Sequence, residues 1–134
     1  MIEHEQNLDM TPGEPPFEIR LNQNDTDFRL VLHLFSSLGA LTLESGTTAE
    51  IRGRDADGLP CSENAAIDLV TKTVTVESNA FLTRTAGAGT YEICLTHDGK
   101  ALHSANFHIV VESSGGTESY DGVLAALLLN RYGR

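Results

Sequence analysis

The chain has 134 residues, enough for one domain with a core of its own and too few for two comfortable ones. Its 19 acidic residues against 9 basic ones give a net charge of -10, which argues against nucleic acid or an anionic membrane surface as a partner, because both need a basic face. No apolar run approaches the ~20 residues of a membrane span, and the opening MIEHEQNLDM lacks the basic start and apolar run of a secretory signal, so a soluble protein made inside the cell is expected, with Cys61 and Cys94 as free thiols.

Residues 1–16 are polar and acidic and close on TPGEPP. Prolines at 12, 15 and 16 exclude helix and central strand alike, so this stretch is expected to be an extended arm. Such an arm is either disordered or laid against a neighbouring subunit. Phe17 to Gln23 then alternates, with Phe17, Ile19 and Leu21 on one side and Glu18, Arg20 and Asn22 on the other, which predicts a half-buried strand. Asn24 to Asp27 is a turn, since Asx side chains bond their own backbone. Phe28 to Phe35 (FRLVLHLF) is the next strand, apolar enough on its second face to be covered on both sides.

Leu41-Thr42-Leu43 is a short apolar piece. Thr47 to Arg54 is a polar strand with Ala49 and Ile51 facing in, and Asp55 to Gly58 turns the chain. Ala66 to Val70 and Thr73 to Glu77 read as two further strands. Asn79 to Thr85 fits one helical turn capped by Asn79. Gly89 to Glu112 is a hairpin, with Tyr91, Ile93 and Leu95 before the Asp98-Gly99 turn and Phe107, Ile109 and Val111 after it. A strict two-residue turn would put these two apolar sets on opposite faces. The sequence therefore predicts a three-residue loop, His97 to Gly99, or else a bulge between Leu102 and Asn106, with His103 near the core side and Cys94 pointing away.

Residues 113–118 form a Gly/Ser-rich linker, and the period then changes. Val123, Leu124, Leu127 and Leu128 share one helical face within residues 119–134. A helix of about ten residues is marginal alone and must dock, either on its own sheet or on another subunit. Leu124, Leu127 and Leu128 are thus the candidate self-association residues. Seven or eight short strands at turn spacings of about 8–12 residues predict an all-β, antiparallel β-sandwich over 17–112 with a short C-terminal helix.

The chain shows no set of residues suited to catalysis or to a cofactor. Asp55-Ala-Asp57-Gly58 has its glycine too early for a calcium loop. The five histidines have no ligand spacing, although His97 and His103 flank one turn. Cys61 and Cys94 form no C-x-x-C pair, and no phosphate-binding loop occurs. No metal, no cofactor and no enzymatic activity are expected.

Four motifs occur in a family's order. They are a polar turn with Gln23, Asp25 and Thr26; the Asp57-Gly58 turn; Leu82 and Thr83 followed, at a longer spacing, by Gly89 and Tyr91; and a closing Phe107-x-Ile109-x-Val111 strand. Together they resemble the N-terminal domain of phage baseplate upper proteins. The resemblance covers Phe17 to Glu112. It implies an immunoglobulin-like sandwich in a phage or prophage virion, most often as a trimer, with itself and other virion proteins as partners. Baseplate upper proteins continue into long helical, receptor-carrying parts, whereas this sequence ends after one short helix. Head-fibre, decoration and other tail-associated roles therefore stay open, and a carbohydrate- or cell-surface-binding module is the alternative function.

Overall fold

The computed structural model describes residues 1–13 and 17–113. These form nine strands and one helical turn: β1 (Ile2–Asp9), β2 (Glu18–Asn22), β3 (Phe28–Phe35), β4 (Thr48–Arg54), β5 (Pro60–Asp68), β6 (Thr73–Glu77), α1 (Ala80–Thr83), β7 (Gly87–His97), β8 (Lys100–His103) and β9 (Phe107–Glu112). The hydrogen-bonded order is β1-β3-β6-β5-β4-β7-β9-β2, and β8 pairs with β7 beside this path.

This path departs from two separate antiparallel sheets. Pro60 to Ala65 of β5 pair with β4, and Ala66 to Asp68 pair with β6. One bent strand therefore carries the ladder from one layer into the other, and the result is a nearly closed, barrel-like sheet. Its two end strands also pair in parallel, β1 with β3 and β2 with β9, while every other pairing is antiparallel. The lower end of the barrel carries the turns at 23–27, 55–59 and 78–86. The upper end carries 36–47, 69–72 and the Asp98-Gly99 turn.

Strand alternation builds the core. Phe28, Leu30, Leu32 and Leu34 of β3 point inward, as do Ile51 of β4, Val74 and Val76 of β6, Ile93 and Leu95 of β7, and Phe107 and Ile109 of β9. Phe17 stacks on Phe107 with ring centroids 5.1 Å apart. Leu82 plugs the lower end, presented by a helical turn in which its own N–H is capped by the Asn79 side chain, as the sequence predicts.

Several sequence expectations need correction. Ile2 to Asp9 is not a free arm but a strand in register with the whole of β3, from Ile2 opposite Phe28 to Asp9 opposite Phe35. Leu8 and Met10 are buried, and the Asp9 carboxylate accepts the N–H groups of Thr11 and Ser37. Only two apolar anchors hold this strand, too few for periodicity to reveal. β5 runs from Pro60, well before Ala66, and Val70 lies in the following turn, 90% exposed. The polar CSEN stretch hid the strand's first half, since its covering comes from neighbouring strands and not from its own apolar content. The short apolar piece Leu41 to Leu43 lies between strands and tucks Leu41 into the core.

In the hairpin the turn has two residues. Asp98 (φ 51°) and Gly99 (φ 76°) are both left-handed, and His97 pairs with Lys100. The three-residue loop does not form; the alternative, a bulge before Asn106, does. Cys94 pairs with His103, yet Tyr91 pairs with Phe107, where an unbroken register would give Asn106. One extra residue is accommodated at Ser104 and Ala105, and this returns Phe107 and Ile109 to the face of Tyr91 and Ile93. His103 lies before the correction, so it faces solvent and not the core. The helix expected over 119–134, with Leu124, Leu127 and Leu128, lies outside the described residues.

Candidate functional site

The most polar cluster is on the outer face of β4, β5, β7 and β8. Register brings Glu50 opposite Cys94, Arg52 opposite Glu92, and Cys94 opposite His103. Arg52 donates to Cys94 Sγ at 3.4 Å and lies 3.4 Å from the Glu50 carboxylate. His103 Nδ1 sits 3.0 Å from Glu92 Oε2, and Ser62 donates to Glu50 at 3.5 Å. Cys94 points away from the core, as expected, but Arg52 and its neighbours cover it and leave it buried. An open trough runs beside this cluster, lined by Arg52, Arg54, Ser62, Thr90, Glu92 and Asn106 among others.

Each charged group of the trough already has a partner in or beside it. Arg52 is held by Glu50 and Cys94, Glu92 by His103, and Arg54 donates to the Gly58 carbonyl at 2.8 Å. This arrangement stitches strands together, and it leaves no converging set of free donors for a ligand.

The two cysteines do not meet. Cys61 faces inward beside the Tyr91 hydroxyl, and burial pushes both the Cys61 thiol and the Tyr91 phenol above their ordinary values. A thiol shifted upward is a poor nucleophile at neutral pH. His97 and His103 lie on opposite faces of the hairpin, and His97 pairs with Glu44 at 3.0 Å instead. Among the described residues no group of three or more His, Cys, Asp or Glu is placed to hold a metal ion.

The lower end is knit around Asp55, which reads in the sequence only as part of a turn. Its carboxylate accepts the N–H groups of Asp57 and Leu59 at 3.0 Å each, and Arg84 at 3.3 Å. Burial pushes this carboxyl up, but those donors outweigh it and hold Asp55 below its ordinary value of 3.8. The guanidinium of Arg84 also lies over the Phe81 ring, 4.8 Å from its centroid. The signal for this cluster was present as an Asx turn, but its partner lies 29 residues away and could not be found locally.

A second feature is the slit where the sheet fails to close. It runs between the end strands β1 and β2 and is lined by Ile2, His4, Arg20, Leu21, Asp27 and Glu112 among others. Arg20 is bound on its own side by Glu18 and Glu112.

The fold is similar to that of the N-terminal domain of phage TP901-1 ORF48. The two superpose with a TM-score of 0.69 at 16% identity, over 84% of this chain and 99% of that one. The likeness is one of fold, and it is to a domain from a phage protein, the source that the sequence resemblance named. CopC from Methylosinus trichosporium OB3b also aligns, at a TM-score of 0.44 and 12% identity over 74% of this chain and 87% of that one, too weakly to bear on function. No protein-family profile and no curated protein matches the sequence.

Proposed function

We propose that this chain is a non-enzymatic structural protein of a phage or prophage particle, of baseplate, tail or head-fibre type. The observation that carries the reading is the shared barrel topology, which accounts for 99% of the phage domain it resembles. The polar clusters agree with it, since their charges are spent on holding strands together. No helix among the described residues is long and apolar enough to cross a membrane.

Within that reading the chain self-associates as a trimer. Residues 119–134 form the helix that makes the contact, through Leu124, Leu127 and Leu128, and other virion proteins are the further partners. The protein is made in the bacterial cytoplasm and ends in the virion. The sugar-binding alternative draws less support, because Tyr91, the ring nearest the trough, is buried in the core.

Size-exclusion chromatography with light scattering tests the assembly. The full chain is expected to run as a trimer, and a version lacking Tyr120 to Arg134 as a monomer. A full chain that is already a monomer contradicts self-association.

A further inference from the structure

We infer that the slit between β1 and β2 is the seat of a missing strand: an extended segment of another protein chain, alternating apolar with basic residues, inserts there and completes the barrel. The site rests on the strand edges alone. The particle role proposed above supplies only the source of such a partner, and the two fail separately.

Backbone hydrogen bonds mark the gap. In a parallel pair, alternate residues turn both N–H and C=O toward the same neighbour. The Ile2 N–H donates to the Asp27 carbonyl and the Met10 N–H to the Phe35 carbonyl, so the even-numbered residues of β1 bond β3. Glu3, Glu5 and Asn7 therefore turn theirs into the slit. On the other lip, the Phe17 carbonyl accepts the His108 N–H and the Gln23 N–H donates to the Glu112 carbonyl, so the odd-numbered residues of β2 bond β9. Glu18 and Arg20 turn both groups into the slit, and Asn22 its N–H. No described residue pairs with any of these groups. Above them the Asp9 carbonyl accepts the Ala105 N–H at 2.9 Å, which closes the upper end of the slit.

A lone sheet edge faces water, and charges along it suffice to keep it unpaired. Here two edges face each other. β1 and β2 do not pair, and over most of their length their Cα atoms lie beyond 8 Å of one another, against about 4.8 Å between neighbouring strands. Both nonetheless line one cavity of ≈ 230 Å³. A single strand in that space reaches both lips. Because β1 and β2 run in opposite directions, it makes a parallel ladder with one and an antiparallel ladder with the other.

The lips also set the side chains of this strand, since main-chain bonds give affinity and alternate side chains give specificity. Its inward residues meet Ile2, Leu21 and Phe28. Ile2 shares the inner face of β1 with Leu8 yet is 63% exposed, an apolar position without its cover. Its outward residues meet Glu3, Glu5, Glu18 and Glu112, with Asp25 and Asp27 at the lower mouth. These six outnumber the cations among them, which are Arg20, Arg29 and the Met1 amine. Apolar residues inward and basic residues outward complete both faces.

Amide hydrogen exchange of the full chain, read residue by residue by NMR, tests the inference. The probe is a capped peptide alternating valine with lysine and arginine. In the free chain the N–H groups of Glu3, Glu5, Glu18 and Arg20 should exchange fast, and those of Ile19 and Leu21, bonded to β9, slowly. The peptide should slow the first set by about tenfold or more and leave the second unchanged. The same peptide N-methylated at every second residue should protect one lip at most, and a version with glutamate in place of the basic residues should bind more weakly. If the first set is already slow in the free chain, this chain or a second copy fills the slit and the inference is overturned. No slowing by the basic peptide at millimolar concentration also overturns it, as does equal slowing by the N-methylated or the acidic peptide.

Discussion

Gly53 shows how one residue type is fixed by close approach. A Cβ built there would lie 2.1 Å from the Thr90 carbonyl oxygen and 2.7 Å from the Tyr91 ring. A glycine inside a strand is normally a weakness, and here it lets Tyr91 lie across β4 and reach Cys61. Gly53→Ala is therefore expected to cost about 1–3 kcal/mol or more, since backbone and not a flexible tip must yield; chemical denaturation monitored by tyrosine fluorescence measures it. Asp55 sets the acid limit. Its folded pKa lies below the ordinary 3.8, and two other carboxyls are shifted the same way: Asp9, against the upward push of burial, by the Ser37 side chain and the Ser37 and Thr11 N–H groups, and Asp68 by the Thr71 and Val70 N–H groups. A carboxyl with a depressed folded pKa contributes stability that is present above its unfolded value and lost as pH falls through the folded one. The thermal midpoint should thus be flat down to about pH 5 and drop below about pH 4, and Asp55→Asn should lower the midpoint at neutral pH while making the acid drop shallower. An unchanged acid profile in that variant would remove Asp55 from the account. The turn at Asp55 was legible because aspartates before a glycine announce one. The grip of Arg84 was not, because long-range pairing leaves no local pattern.

At the level of elements, the hairpin is where a single residue decides two faces. Ser104 performs the correction: its hydroxyl accepts the Ile93 N–H at 2.9 Å and donates to the Ala105 carbonyl at 2.8 Å, replacing ladder bonds that the extra residue interrupts. Ser104→Ala leaves a buried N–H unpaired and should cost about 1–3 kcal/mol, read from the urea midpoint. Ser104→Thr, which keeps the hydroxyl, should recover part of the loss if the added methyl is tolerated. The need for an offset was legible from counting apolar positions on either side of Asp98-Gly99. Its exact residue was not, because a bulge is specified by the partner strand as much as by its own sequence. FRLVLHLF and FEIRLNQ declared themselves by alternation, as β3 and β2 show. β1 and β5 did not, since each alternates between half-buried polar residues and only a few apolar anchors. The outer cluster of Glu50, Arg52, Cys94 and His103 was hidden for the same reason. It exists only once the registers of β4, β7 and β8 are known.

For the whole molecule, strand spacing correctly implied an all-β domain but gave the wrong closure. Nothing in the sequence of β5 marks Ala65 and Ala66 as the point where one strand changes partners and turns two layers into a nearly closed barrel. That barrel has its first residue and the end of β9 at the lower end, the side that also exposes Met1, Ile2 and Phe81. A rigid body of this kind, with its end strands at the margins, agrees with the particle role proposed above. The direct measurement is quantitative mass spectrometry on phage particles released from the cells that carry this chain and purified on a density gradient. The account predicts its peptides in the particle band, in fixed ratio to the other particle proteins across gradient fractions. Peptides confined to the soluble fraction, with none co-sedimenting with particles, would contradict it.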